Sequence, residues 1–247
     1  RRSLGGRYVA VLGSTETYGK FVARPYPALL EAATGIETVN LGCINAGIDA
    51  YLGEADVLEV ARGARARIIQ VIGAHNLSNR FYAVHPRRND RFLRPRTPLL
   101  RLFPEVDFTE FSFTRHLLLG LLRRFPDRFE MVASELRRCW IARMSELLER
   151  TGGGAILLWI SERALPDPGG PICMHSDPLL IDRSMIDPLR PLLRDLVEVR
   201  VPTAFMGPHG MAFAPLDLTA AAALPAPPAH RQICAALAPL LSGDGVA

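Results

Sequence analysis

The sequence predicts an α/β protein of three layers, αβα, on a five-stranded parallel sheet of flavodoxin-like order. Three observations lead there. Short apolar runs rich in β-branched residues alternate with segments of helical period. The first three runs all stop at small or polar residues: 9–19 (VAVLGSTETYG), 39–52 (VNLGCINAGIDAYL) and 68–79 (IIQVIGAHNLSN). Buried strands that end this way build a site at the carboxyl edge of an open sheet. Finally, 247 residues with 49% hydrophobic and 22% charged side chains suit one domain with a sizeable core.

The elements come in order. Gly5-Gly6 marks a turn, and residues 8–12 form strand one. Residues 26–33 have helical period, with Gly35 as C-terminal cap. Strand two is 37–41, a helix covers 54–62, and strand three is 67–72. Right-handed crossovers then place strand one between two and three, in the order 2-1-3-4-5. From 79 to 113 no period is sustained. Pro86, Pro95, Pro98 and Pro104 interrupt this stretch, which reads as an ordered Arg-rich insertion or lid at about 80–112 within a single domain. Amphipathic helices come next at 113–124 and 129–150, then strand four at 155–160. A helix at 183–195 is kinked by Pro188 and Pro191. Strand five is 196–201, residues 203–228 are irregular, and a helix at 229–241 closes the chain.

The net charge is +4, almost all of the positive charge being arginine, with Lys20 the only lysine. Four scattered cysteines without a CxxC argue against a metal site and for reduced thiols in a cytoplasm. No Walker loop or dinucleotide glycine fingerprint occurs, so no nucleotide cofactor is expected. No apolar run approaches the roughly 20 residues of a membrane span. The opening RRSLGG lacks an initiator Met, which leaves room for an upstream segment.

The three strand ends resemble the SGNH (GDSL-like) hydrolases. Gly13, Ser14, Thr15, Glu16, Thr17, Tyr18 and Gly19 match that family's G-D-S-x-T-x-G, with Thr15 at the nucleophilic serine and Ser14 at the aspartate. Asn40, Gly42, Gly47 and Asp49 match its second block, and Asn45 stands where a glycine usually donates its amide to the oxyanion hole. Asn76 matches the asparagine whose side chain completes that hole. The resemblance implies ester hydrolysis or acyl transfer, with O-acetylated carbohydrate one candidate substrate. Thr15 would attack, and Asn76 with the Asn45 or Gly47 amide would hold the oxyanion. The family's C-terminal Asp-x-x-His falls here at about Ala221 and Leu224, neither of which can act as a base. His209 is the first substitute, with His230 and His175 as alternatives.

The same residues have plainer uses. Ser14 and Thr15 suit helix capping, Asn76 suits loop backbone groups, and Gly42 and Gly47 suit turns. Seven arginines in the insertion, Arg80, Arg87 and Arg88 first among them, face only Asp90 in sequence. They predict a wall that binds an anionic or hydroxylated ligand, aided by Ser14 and Tyr18. The competing expectation is a surface loop pinned by Glu105, Asp107 and Glu110. No nucleic-acid-binding motif is present. A fold that keeps the cleft as a binding or accessory protein, without the chemistry, is the rival to the hydrolase.

Overall fold

A computed structural model describes residues 7–201 and 207–242. The turn expected at Gly5-Gly6 and the stretch 203–206 lie outside them. Five parallel strands, β1 (Val9–Leu12), β2 (Thr38–Asn40), β3 (Ala66–Gln70), β6 (Ala155–Ser161) and β7 (Leu193–Arg200), form one sheet in the order β2-β1-β3-β6-β7. The expected order 2-1-3-4-5 is the one found. The chain leaves β1 in one direction to β2 and returns on its other side as β3. A crevice therefore opens where the carboxyl ends of these strands part.

Alternation along each strand separates the two faces. Val9 and Val11 point to one side with Ile68, Ile156, Leu158 and Ile160, where α2 (Tyr26–Thr34) and α10 (Pro227–Ser242) cover them. Ala10, Leu12, Ile69, Leu157 and Trp159 point to the other. There α3 (Ile48–Leu52), α4 (Ala55–Gly63), α6 (Thr114–Arg124) and α7 (Pro126–Arg150) pack. In α7, Phe129, Val132, Ala133, Leu136, Trp140, Met144, Leu147 and Leu148 recur at three- and four-residue spacing, which makes one continuous buried stripe. Pro126 opens the helix, where a missing N–H costs nothing. Trp140 Nε1 donates to Ile72 O (2.7 Å), tying this helix to the end of β3.

Several expectations need correction. The 79–113 stretch contains an antiparallel pair, β4 (Tyr82–Val84) with β5 (Phe92–Pro95), and helix α5 (Thr97–Leu102). Its strands are too short to show a period. The helix expected at 183–195 is only α8 (Arg183–Ile186) and then a 3-10 stretch, Asp187–Leu192, because Pro188 and Pro191 remove amide donors. The fifth strand of the sheet opens at Leu193, ahead of its expected start at Leu196. The irregular C-terminal stretch holds the short α9 (Leu218–Ala222).

The joint after β1 is tight. A Cβ on Gly13 would fall 2.1 Å from Thr17 Oγ1 and 2.5 Å from Gln70 Oε1. Gly13→Ala is therefore expected to cost about 1–3 kcal/mol, read from urea unfolding monitored through the two buried tryptophans, Trp140 and Trp159. An unchanged midpoint would show that the turn relaxes freely.

Candidate functional site

The site is built on the turn that leaves β1. After Gly13 and Ser14, α1 (Thr15–Tyr18) makes a single turn and ends at Gly19, whose φ of 78° stops it. Gln70, buried at the end of β3, holds this turn from below. Its Oε1 accepts from Ser14 N (2.9 Å) and Thr17 Oγ1 (2.6 Å), and its Nε2 donates to Glu16 Oε2 (2.9 Å). Thr15 is thereby set at the floor of a cleft of about 490 Å³.

The second loop closes against it. Asn40 Nδ2 donates to Thr17 O (3.1 Å), and Asn40 Oδ1 accepts from Gly42 N (2.9 Å). Asn45 has a φ of 59°, the left-handed conformation that glycine adopts freely and asparagine tolerates. Its backbone N–H donates to Thr15 Oγ1 (3.0 Å), while Thr15 Oγ1 donates to Asn45 Oδ1 (3.2 Å). Asn45 Nδ2 in turn donates to Asp90 Oδ2 (3.1 Å). Gly47 is different: its N–H donates to Asn89 Oδ1 (2.7 Å) and is not free for a ligand. The third loop brings Asn76 to the same cleft. Thr114 Oγ1 donates to Asn76 Oδ1 (2.7 Å), and Asn76 Nδ2 has no partner among the described residues.

Thr15, Asn45, Asn76 and Ser14 thus share one cleft. The remaining expected residues do not line it. Tyr18 is largely exposed outside it. Arg80 pairs with Glu135 (3.7 Å) and Arg87 with Glu54 (3.2 Å), while exposed Arg88 donates its amide to His85 Nδ1 and its charge acts on Asp90. The cations that do reach the cleft are Arg115 and Lys20. Arg115 bonds to Met174 O and to Asp177. His209 is exposed and outside the cleft lining. His230 is buried on α10 against Tyr26 at the start of α2, accepts from Tyr26 N through Nδ1 (3.1 Å), and is taken up structurally. His175 lines an adjoining cavity that shares Glu16, Arg115 and Asp177 with the Thr15 cleft. Leu224, where the SGNH resemblance would place a histidine, does line the cleft.

Three further residues were not singled out by sequence reasoning as site residues. Glu16 lines the cleft, and burial raises its carboxyl pKa, with Asp177 adding to the rise. Burial likewise raises Asp90, whose buried Oδ1 has no partner. His75 is 6% exposed, and burial lowers its pKa to about 4. Its only sequence signal was its place beside Asn76 at a strand end. No group of three His, Cys, Asp or Glu suited to a metal occurs among the described residues. No helix among them is long and apolar enough to cross a membrane.

Fold and site together define a three-layer α/β protein with a polar cleft at the carboxyl edge of its sheet. The chain belongs to the family DUF6473, described as a domain of unknown function, whose model matches residues 1–244. No curated protein matches the sequence. Among solved structures, it is similar to the crystal structure of the lipase Lip_vut3 from a goat rumen metagenome, at a TM-score of 0.39 and 13% identity. That match covers 94% of this chain and 95% of the other.

The buried histidines carry a pH signature. An imidazole at about 4 in the fold and near 6.5 unfolded stabilises fully above about pH 6.5, and that contribution is lost as pH falls toward 4. The stability of wild type minus that of His75→Gln is therefore expected to fall between pH 7 and pH 5 in urea titrations. A difference independent of pH would mean that His75 titrates as if exposed.

Proposed function

We propose that this chain is an SGNH-like hydrolase or acyltransferase that acts on an ester, an O-acetylated carbohydrate being one candidate. Thr15 is the nucleophile of this reading. Its Oγ1 attacks the carbonyl carbon, the oxyanion is met by Asn45 N–H and Asn76 Nδ2, and the hydroxyl proton ends on the departing alcohol. Water or a second alcohol then takes the acyl group. The observation that supports the reading is the meeting of Thr15, Asn45 and Asn76, from three successive strand ends, in one cleft. The left-handed Asn45 sets its amide beside the hydroxyl, and in this reading that N–H passes from Thr15 Oγ1 to the oxyanion as the hydroxyl attacks. The whole chain serves as one such domain in this reading, and its four free cysteines suit a reducing cytoplasm.

A specific observation favours the rival, a binding protein that has lost the chemistry. Thr15 hydroxyl is bonded both ways to Asn45, and Leu224 lines the cleft where the family's base would stand. A hydroxyl without a base is a weak nucleophile near neutral pH.

A short-chain ester assay separates the two. If wild type turns over 4-nitrophenyl acetate, Thr15→Ala is expected to abolish the reaction, while Thr15→Ser retains or raises it. A base is worth roughly 10²–10⁴ in rate, so Thr15→Ser with Leu224→His is expected to raise turnover by at least about tenfold. Activity in Thr15→Ala equal to wild type would exclude Thr15 as nucleophile. Turnover only in the double variant would establish the rival.

A further inference from the structure

We propose that His75 serves the Thr15 cleft as a neutral hydrogen-bond donor, its Nε2–H meeting the substrate's carbonyl oxygen beside Asn45 N–H and Asn76 Nδ2. The inference rests on the ester reading of the cleft and adds a residue to it.

The His75 ring is buried, yet neither nitrogen has a hydrogen-bond partner among the described residues. Buried polar atoms are nearly always paired, so an unpaired one at a cleft wall calls for a use. The two nitrogens differ. Nδ1 is sealed from solvent, whereas Nε2 is not among the sealed, unpaired atoms. Nδ1 is turned toward Gly73, where an added Cβ would fall 2.7 Å from it and equally 2.7 Å from the backbone nitrogen of Leu179. No group takes up a hydrogen bond with that nitrogen, and the Leu179 amide nitrogen, a donor, lies on the same side. A proton on Nδ1 would be buried with nothing to receive it, the rarer and costlier kind of orphan. A bare lone pair there leaves the proton on Nε2, at the cleft.

The surroundings keep the ring uncharged. Its pKa is lowered to about 4, chiefly by burial, with Asp177 opposing the shift and Arg115 adding to it. Glu16, Asp90 and Lys20 are the other charged groups on the cleft wall. A neutral imidazole donates one hydrogen bond without the charge that would bind any anion. This separates His75 from the SGNH pattern, in which the histidine is a base and comes from the C-terminal end. The role also fits its neighbour: Thr114 holds Asn76 by its oxygen, so that residue likewise turns a donor to the cleft.

The test uses the full chain and methylphosphonate, a tetrahedral oxyanion. Ring nitrogen NMR of wild type is expected to show the Nε2–H form of His75 at pH 7, and its Nε2 resonance to move on titration with methylphosphonate. His75→Gln, which keeps a donor, is expected to bind the probe within about threefold of wild type. His75→Leu is expected to lose about tenfold or more, and to lower ester turnover by about 10²–10³ where turnover exists. A proton on Nδ1, no response of the ring to the probe, or unaltered binding in His75→Leu would overturn the proposal. If His75→Leu does not fold, the wild-type tautomer and titration decide alone. Probe binding through His75 without ester turnover would sink the hydrolase and leave the donor standing. Turnover with no response of the ring would do the reverse.

Discussion

The site hangs on one buried amide. Gln70 ends β3 among apolar neighbours, 4% exposed, and satisfies Ser14 N–H, Thr17 hydroxyl and Glu16 carboxylate at once. A buried amide group is costly unless its donors and acceptors are met, so this arrangement admits few alternatives. It joins the loop after β1 to the strand beside it and fixes the rotation of α1. Thr17 also contacts Tyr26 (2.9 Å), and Tyr26 N–H is held by His230. The polar chain thus runs from the cleft floor into α10. The position of Thr15 depends on this chain, because its own side-chain bonds are only to Asn45.

The segment after β3 acts through its neutral and acidic residues rather than its arginines. Asn89 is fully buried, accepts from Gly47 N and Ala50 N, and donates to His85 O and Pro86 O. It pins α3, while the neighbouring Asp90 orients the Asn45 amide. Thr114 then ties this segment to Asn76 and to Asp90 O. The arginines lie outside these contacts, and the guanidinium groups of Arg80 and Arg87 pair with carboxylates of the surrounding helices and loops. The Arg87–Glu54 pair is exposed on both sides and contributes little, whereas the buried Glu135 needs its arginine partners. Charge counted along a sequence says how many arginines a loop has, but not which way the loop turns them.

The same distinction governs what was legible. The strand order could be read from apolar runs and their polar endings, since a buried parallel strand must be apolar on both faces and must stop where the backbone meets solvent. Thr15, Asn45 and Asn76 could be found for that reason: each stands at such an ending. The short β4 and β5 pair, the single turn α1 and the early start of β7 could not, because four or fewer residues carry no period and β7 opens with Leu193, Arg194 and Asp195 at an exposed edge. Gly47 was placed near the site but not in its bonding, because Asn89 lies 42 residues away and only the fold joins them. His75 was hidden within an apolar run, where a histidine reads as filler. What sets it apart is a buried Nδ1 without a partner, and pairing is a property of three-dimensional neighbours alone.

The cleft gathers groups whose charges would otherwise repel or dissolve. Burial pushes the Glu16 and Asp90 carboxyls up and His75 down, so each is displaced toward its neutral form. Arg115 remains, but Asp177 and the Met174 carbonyl already occupy it. Such a wall offers a ligand hydrogen bonding with little net charge. That suits an ester, whose carbonyl oxygen gains charge only as it reacts. The bonded Arg115 and the uncharged histidine beside it thus have one physical consequence: charge that forms inside the cleft is met by hydrogen bonds.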